Sequence, residues 1–438
     1  MAVHGQATLK SELRRVERGR NLRALALVAP ALLFVVLGFV VPIALTLYKG
    51  VENRELVRSM PLVTAALRQW DGKGLPAEAV YAALAEDLKQ GFTQRTLGPA
   101  GRRLNLEITG FVSLLQSSGR QLAQRQETPV SYAALMAEID RRWAEPRIWA
   151  AMKRAAAPLT DFYFLYAFDL QRDERNEIVN VPEERRLYVD ILLRSLWISL
   201  CVTAICLAIA YPMAITMTSM RQPLANIALT LVLLPFWTSV LVRTAAWVVL
   251  LQREGLVNGT LLALGLVSAP ESLIFNRFGV IVALSHVLLP YMVLTLYAVM
   301  KGVDPQYVRA ARSLGADPWQ AFRRVYLPQT MPGVGAGCLL VFILAIGSYV
   351  TPALVGGRHD QMIAYFIAFN VNQTVNWGLA AALSTFLLAV VLALYPLYGR
   401  LAGIDRLRSR EPIDFHRGGG VTLRRPRFVP FAMRGQAR

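Results

Sequence analysis

Residues Asp304–Pro328, with the sequence DPQYVRAARSLGADPWQAFRRVYLP, decide how this chain is organised. The stretch lies between two long apolar segments and reads as two short helices separated by a glycine. Asp304 is placed to cap the first helix, Pro305 fits its first turn, where a missing N–H is harmless, and Gly315 supplies the positive φ that ends it. The second helix repeats this arrangement with Asp317 and Pro318.

The first of these helices carries one narrow apolar stripe. Positions i, i+3, i+4 and i+7 are Tyr307, Ala310, Ala311 and Leu314. Arg309 and Arg312 flank the stripe, and its two central alanines allow another backbone to approach closely. Such a face suits docking into a groove on a partner better than burial in the protein's own core.

The spacing of this segment resembles the EAA loop of permease subunits in bacterial ABC importers. The matching positions are Ala310, Ala311, Gly315, Val325, Leu327 and Pro328. In that family the loop forms a coupling helix seated in a cleft of the cytoplasmic ATPase, and the resemblance implies the same role here. Arg309 stands where the family usually has Glu. The alternative is an ordinary cytoplasmic helical hairpin between two spans.

Long uncharged runs predict an all-α membrane protein. Mean hydropathy is +0.39, and 55% of the 438 residues are apolar. Each run exceeds the roughly 20 residues that a bilayer-spanning helix needs. The runs are Ala24–Tyr48, Ser195–Met220, Gln222–Val242, Phe278–Met300, Val325–Gly357 and Gln361–Gly399. Six spans follow, and because the last two runs exceed one crossing, we expect their outer parts to lie in loops or at the interface.

Arginine and lysine near the chain ends predict the orientation. The leader 1–23 holds Lys10, Arg14, Arg15, Arg18, Arg20 and Arg23, and the chain after Gly399, which leads into the tail 401–438, holds ten Arg. By the positive-inside rule both termini are cytoplasmic, and segment 304–328 falls on the same side. The prediction is a multi-pass protein of the bacterial inner membrane.

The predicted domains follow from these spans. A first span at 24–48 leads into an insert at 49–187, and a permease domain of five spans occupies 191–400. The insert has 20 Lys or Arg against 18 Asp or Glu, a balance compatible with a long periplasmic loop. Its composition favours helix, with segments predicted at Ala79–Leu88, Leu114–Gln124 and Tyr132–Met152. The aromatic run Phe162–Tyr166 is read as core or membrane-interface packing, with a ligand-stacking box as the alternative.

Several classes of function are disfavoured. The formal charge of +18 is concentrated in tails and loops, where anionic lipid accounts for it, so we expect membrane lipid and not nucleic acid as the partner. The three cysteines lie in predicted spans, the four histidines show no ligand spacing, and no phosphate-binding loop occurs, so no metal, cofactor or catalytic residue is expected in this chain. The apolar runs hold no Asp or Glu, which argues against a gradient-driven carrier.

A second group of segments resembles spermidine/putrescine-type permeases. The segments are Tyr211–Ala214, Leu234–Ser239, Val242–Trp247, Leu289–Leu294 and Val350–Gly357. The resemblance implies the type I ABC importer fold with three kinds of partner: ATPase subunits that bind ATP, a second permease subunit, identical or related, and a periplasmic solute-binding protein. The large insert is not covered by it.

Candidates for the translocation pathway lie in the same region. They are Trp237, Ser239, Arg243, Trp247, His286 and Tyr291. Arg243 interrupts the apolar third span, either on the pathway or as a side chain reaching the outer interface. His286 and Tyr291 either line the pathway or make ordinary helix contacts.

The sequence therefore predicts the membrane-spanning permease subunit of an ATP-driven importer for a small solute. Polyamine, amino-acid derivative, opine-like and phosphonate cargoes all remain open. The alternatives are a membrane-anchored sensor or scaffold with a periplasmic ligand-binding domain, and a gradient-driven carrier.

Overall fold

The computed structural model describes residues 26–125, 129–173 and 176–401. The basic leader 1–23 and residues 402–438 of the tail lie outside this part of the chain. Nearly all the ordered elements are helices, joined by one short β-hairpin of strands β1 (Leu170–Arg172) and β2 (Ile178–Asn180).

The helices fall into three groups along the chain. The first is α1 (Ala26–Tyr48), which contains a π-helical turn at Val36–Val40. The insert contains α2 (Glu55–Ser59), α3 (Pro61–Gln69), α4 (Glu78–Thr93), α5 (Gly98–Asn105), α6 (Phe111–Gln124), α7 (Tyr132–Ile139), α8 (Pro146–Ala155) and α9 (Phe162–Ala167), with 3-10 turns at Arg141–Ala144 and Glu183–Arg185. The permease region contains α10 (Tyr188–Ser219), α11 (Gln222–Leu233), a 3-10 turn at Leu234–Trp237, α12 (Val240–Leu251), α13 (Leu256–Ala263), α14 (Arg277–Lys301), α15 (Pro305–Ser313), α16 (Pro318–Ala321), a π turn at Phe322–Tyr326, α17 (Leu327–Ile346), α18 (Val350–Val355), α19 (Ile363–Asn372) and α20 (Trp377–Leu401).

The insert has a hydrophobic core of its own, built mainly from the apolar faces of α3 to α8. Trp143 and Trp149 are fully buried in it, with ring centroids 5.7 Å apart. Their indole N–H groups find partners: Trp143 donates to the Ser118 hydroxyl at 2.9 Å, and Trp149 donates to the Trp143 carbonyl at 2.9 Å. The predicted helical character is confirmed. The predicted Tyr132–Met152 helix is broken, because Asp140 is extended and caps a separate 3-10 turn.

A second core joins the insert to the permease region. Phe162 and Tyr163 of α9 pack with Ile346 at the end of α17 and with Leu383 of α20. Gly378 makes this approach possible, since a Cβ there would lie 2.3 Å from the Tyr163 ring. Phe162 and Tyr163 are therefore packing residues, as predicted, and they lie where the insert contacts the long helices. Phe162, Leu165 and Tyr166 also line a cavity of about 750 Å³ in the insert.

Asp169 ties the insert to the first turn of α10. The residue precedes β1 and its carboxylate accepts three backbone N–H groups, from Leu187 at 3.0 Å, Tyr188 at 3.1 Å and Val189 at 2.8 Å. These are donors that the start of a helix leaves without intrahelical partners. A carboxylate at this end is also favoured by the helix dipole.

Three long helices, α10, α14 and α17, form the centre of the permease region. Small residues let α14 and α17 approach closely: a Cβ at Gly333 would lie 2.8 Å from Val299, and one at Gly337 would lie 2.6 Å from the Met292 sulfur. Without a hydrophobic driving force between helices in lipid, such close packing is a main source of their association.

The third predicted span is the one that differs from the sequence prediction. Among the described residues, five helices are long and apolar enough to cross a membrane, and counting one bent pair as a span gives six. The predicted single span Gln222–Val242 is wrong as a straight helix, because the chain turns by 95° between Trp237 and Val240. Pro235 has no N–H to continue the helix, and Ser239 takes an extended conformation and starts α12 instead.

The outer parts of the two overlong runs lie in short helices, where the sequence analysis expected loops or an interfacial position. Beyond α17 the chain forms α18, and before α20 it forms α19. The Ser195 hydroxyl of α10 accepts the backbone N–H of Ile363 at 2.8 Å, which fixes the start of α19 against the central helices.

Candidate functional site

The segment between α14 and α17 has the capping geometry that its sequence predicts. Asp304 Oδ1 accepts the Gln306 N–H at 2.8 Å, and Asp317 Oδ1 accepts the Gln320 N–H at 2.8 Å. Gly315 has a φ of +91°. Each carboxylate satisfies one of the free donors at a helix start.

The C-terminal end of α15 explains why a glycine is needed. Ala316 donates its N–H to the Ala311 carbonyl at 3.1 Å, and Gly315 donates to the Arg312 carbonyl at 3.0 Å. This pair of bonds is the Schellman motif, in which the residue after the helix must be left-handed. The chain can therefore reverse direction within two residues and begin α16.

The apolar stripe of α15 is uncovered in the single chain. Tyr307 is 59% exposed and Leu314 is 89% exposed. Ala310 is exposed, Ala311 is half-buried, and the flanking Arg309 and Arg312 are exposed. Among the ion pairs of the described residues, none involves either arginine. The face thus presents apolar side chains edged by positive charge.

The second half of the segment differs from the predicted separate short helix. After α16 the chain continues through the π turn into α17, so Pro318–Ile346 is one apolar helical run. Val325 and Leu327 are half-buried, while Pro328 is exposed. The polar segment therefore consists of one free helix, α15, followed directly by the inner end of a long one.

Trp319 of α16 is a residue that the sequence analysis missed. Its side chain is 66% exposed. A tryptophan directly after the Asp317-Pro318 cap, in a segment rich in arginine, was the available signal. With Tyr307 and Leu314 it enlarges the exposed apolar surface of the segment, which we call the coupling face.

The pathway candidates gather around the bend between α11 and α12. Trp247 of α12 donates its indole N–H to His286 Nδ1 of α14 at 3.1 Å, with the rings 5.4 Å apart. A neutral imidazole that accepts at Nδ1 carries its proton on Nε2. Tyr291, five residues along α14, packs edge-on to Phe236 at 4.8 Å.

Arg243 lies on α12, one turn before Trp247. Its side chain is half-buried, and its Nε is buried without a hydrogen-bond partner among the described residues. Thr244, beside it, is fully buried and lies 3.3 Å from the Thr351 hydroxyl of α18. Because α12 turns away from α11, Arg243 is part of a new helix and not the end of the predicted third span.

The two other candidates occupy the bend itself. Trp237 is 78% exposed, and the Ser239 hydroxyl accepts the Leu241 N–H at 3.2 Å as the cap of α12. The structure therefore brings Trp247 and His286 together, while Trp237 is largely exposed at the bend. In the part of the chain that the structure describes, no group of three or more His, Cys, Asp or Glu side chains could hold a metal ion.

Comparison with known proteins agrees with this geometry. Residues 207–402 match the family described as "Binding-protein-dependent transport system inner membrane component". The spermidine/putrescine transport system permease protein PotB of Haemophilus influenzae is 36% identical over 233 residues, which cover 52% of this chain and 80% of that protein. PotB of Escherichia coli K12 is 36% identical over 214 residues, covering 49% of this chain and 78% of the relative.

Among solved structures, a chain of a bacterial alginate ABC transporter shares 17% identity at a TM-score of 0.43, covering 51% of this chain and 80% of that one. The assignment does not depend on this similarity. The sequence relatives are transport subunits, not enzymes, and ATP hydrolysis belongs to a separate subunit. The chain therefore belongs to the family of binding-protein-dependent transport system inner membrane components and is a permease subunit of an ABC importer.

Proposed function

We propose that this permease imports a small organic solute of the polyamine class, with the coupling face seated on an ATPase subunit. The observation that carries the proposal is the exposed stripe of α15, closed by Gly315 and joined directly to the inner end of a long apolar helix. Two permease subunits, identical or related, would enclose the pathway, and a periplasmic binding protein would deliver the cargo.

The ATPase is the occupant that best fits the coupling face. Tyr307, Leu314 and Trp319 are large apolar side chains exposed in a short segment that also holds four arginines. A contiguous apolar surface of this kind marks an interaction site in a soluble compartment. The family of the chain works with a separate ATPase, and the α15 motif matches the segment that docks on it.

Substitution in the stripe tests the docking. Ala311→Asp places a carboxylate at the centre of the stripe, where docking would strip it of water, so we expect the ATPase to be lost from the purified complex and uptake to stop. Ser313→Asp adds the same side chain two residues further, about 200° around the helix, and serves as the matched control. An Ala311→Asp complex that retains its ATPase and full uptake would refute the docking.

The cargo proposal rests on the relatives, whose printed names specify spermidine and putrescine. Uptake of radiolabelled spermidine and putrescine by proteoliposomes containing permease, ATPase and binding protein tests it directly. Radiolabelled amino-acid derivative and phosphonate are assayed in the same way as the second arm. Uptake of one of these compounds with no uptake of either polyamine would show that the cargo belongs to another class.

The region around Arg243 is the proposed pathway wall. An arginine with an unpartnered buried nitrogen is costly within an apolar helix, which makes Arg243 a candidate for the pathway wall. Because a guanidinium repels a polycationic cargo, Arg243 would act as a barrier, and we expect Arg243→Gln to raise polyamine uptake while ATPase association stays intact. Uptake equal to that of the wild type would place Arg243 outside the pathway.

The insert is proposed to contact the arriving binding protein. It is a folded helical body beside the first turn of α10, at the end of that helix remote from the coupling face. A photoreactive amino acid at Lys89, exposed on α4, should cross-link to the binding protein, whereas one at Leu37 of α1 should not. Scanning the exposed insert positions without a single cross-link, in a complex that still imports, would remove this role.

The orientation that the proposal requires has both termini in the cytoplasm and six crossings, counting the bent pair as one. Reporter fusions after Arg406 should report cytoplasm, and fusions at Gln121 in the insert should report periplasm. The opposite result at either position would overturn the topology.

A further inference from the structure

We propose that a ladder of aromatic rings, in which Phe322 contacts Trp319, Tyr326 and Tyr211, transmits movement of the coupling face to the transmembrane helices. The inference rests on the proposed docking of the ATPase and extends it to residues that touch no ATP and no cargo. These side chains are positioning residues, since they act through the helices that they join.

The ladder exists because of the π turn Phe322–Tyr326. Leu327 donates its N–H to the Phe322 carbonyl, five residues back, and the next residue is Pro328. Proline has no N–H to bond the Arg324 carbonyl, and its ring clashes with a carbonyl four residues earlier, so widening the turn removes the conflict. The Gln329 side chain donates to the Val325 carbonyl at 2.9 Å and so provides a partner for one backbone carbonyl of the π turn.

The first span supports this cause. In α1 the π turn Val36–Val40 ends in the same way, with the Val41 N–H bonded to the Val36 carbonyl and Pro42 immediately after. In the described part of the chain each π turn is followed, after one residue, by a proline. The prolines inside the other helices, Pro212, Pro290, Pro332 and Pro396, have no π turn before them, so a proline favours the wide turn but does not by itself impose it.

The turn stacks three rings in sequence. Trp319 and Phe322 lie 5.6 Å apart with planes at 25°, and Phe322 and Tyr326 lie 6.1 Å apart at 28°. Tyr211 of α10 meets Phe322 edge-on at 6.3 Å. Exposure falls along the series: Trp319 is open on the coupling face, while Phe322, Tyr326 and Tyr211 are half-buried. The rings thus run from the partner surface into the helix bundle.

A hydrogen bond locks the inner end of the ladder. The Tyr211 hydroxyl lies 2.9 Å from the hydroxyl of Thr330, which is fully buried in α17. Thr330 already donates to the Leu327 carbonyl at 2.9 Å, and a hydroxyl has one proton, so Tyr211 is the donor. Tyr211 therefore touches the π turn with its ring and α17 with its hydroxyl.

This arrangement links Trp319 on the coupling face to two helices that already pack together, α10 and α17. Aromatic pairs hold a preferred geometry and resist sliding. A displacement of Trp319 by the ATPase is passed by Phe322 to Tyr211, and hence to α10 and α17 together. The π turn sets the spacing and orientation of the rings, and the Tyr211–Thr330 hydrogen bond joins α10 to α17 at the inner end of the ladder.

The test compares Phe322→Leu, Tyr211→Leu and the double variant in the reconstituted importer with its ATPase and binding protein. Leucine keeps apolar bulk but removes a ring, so we expect normal assembly with the ATPase and a loss of binding-protein-stimulated ATP hydrolysis and uptake of about two- to tenfold. The double variant should be no worse than the more affected single one, because both break the same chain of contacts. Phe278→Leu is the matched control, because Phe278 is an exposed ring at the start of α14 and is not one of the four rings of the ladder. We expect it to leave stimulated ATP hydrolysis and uptake unchanged.

Two outcomes would overturn the ladder: unchanged stimulation in Phe322→Leu, or losses that multiply in the double variant. If Phe322→Leu does not assemble, Tyr211→Phe keeps the ring and removes the hydroxyl alone, and we expect stimulation to fall about two- to tenfold; unchanged stimulation there also refutes the ladder. Failure of the docking itself is recognised separately, since Ala311→Asp would then retain its ATPase.

Discussion

Changing Asp169 to Asn tests the attachment of the insert to the first transmembrane helix of the permease region. The carboxylate accepts three N–H groups from Leu187, Tyr188 and Val189. The amide oxygen of Asn can still accept the N–H groups of Leu187 and Tyr188. Its NH₂ group would face the Val189 N–H, so two donors would meet without an acceptor. The loss is about 1.5–3 kcal/mol for a hydrogen bond to a charged group, plus about 0.3–1 kcal/mol for the helix dipole.

The measurement is hydrogen–deuterium exchange of the full-length protein in nanodiscs, read on peptides that cover residues 187–189. A local loss of about 2–4 kcal/mol corresponds to exchange about 30-fold faster or more at these amides. Asp71→Asn is the matched control, because Asp71 accepts one N–H, from Lys73 at 3.0 Å, in an exposed turn. It should leave exchange at 187–189 unchanged.

Exchange at residues 187–189 within about threefold of the wild type would refute the reasoning, since about 0.6 kcal/mol is less than one charged hydrogen bond. Acceleration that extends evenly through the whole insert would refute it in a different way. It would show that Asp169 stabilises the insert core and not the start of α10.

Two further predictions concern contacts of the insert. Gly378→Ala places a Cβ 2.3 Å from the Tyr163 ring and should lower the free energy of unfolding by about 1–3 kcal/mol in thermal melts. Gly38→Ala is the control, because a Cβ there has nothing within 4 Å, and equal melts for the two variants would contradict the close contact. The hydrogen bond from the Arg142 guanidinium holds the pKa of the Asp140 carboxyl below its ordinary value of 3.8. The stabilisation that this hydrogen bond gives is therefore present above about pH 3.8 and is lost as the pH falls through the lower pKa of the folded protein. Asp140→Asn should flatten the acid limb of a plot of stability against pH. Superimposable plots for the variant and the wild type would contradict this.

The coupling segment could be predicted from sequence because its signals are local. Asp304, Asp317 and Gly315 act within four residues of themselves, and their caps and left-handed turn are confirmed. The π turn was missed, although Pro328 was available, because the usual proline rule predicts an interrupted helix and not a widened one.

The bend between α11 and α12 and the attachment of the insert could not be predicted in the same way. An uncharged run from Gln222 to Val242 has the length and hydropathy of a straight span, and hydropathy carries no information on direction. Asp169 is separated from the N–H groups that it caps by 18 to 20 residues and a β-hairpin. A single acidic residue gives no sequence signal for a bond over that distance.

The helix α10 connects the two features that distinguish this permease. It has 32 residues and so spans about 48 Å at 1.5 Å per residue. Asp169 of the insert holds its first turn, Ser195 fixes the start of α19 two turns later, and Tyr211 bonds to Thr330 near its other end. These contacts attach α10 to its neighbours near both ends, with Pro212 interrupting its backbone hydrogen bonds beside Tyr211. The large insert is therefore attached to the same helix that receives the aromatic ladder, and a change at either end acts on one element.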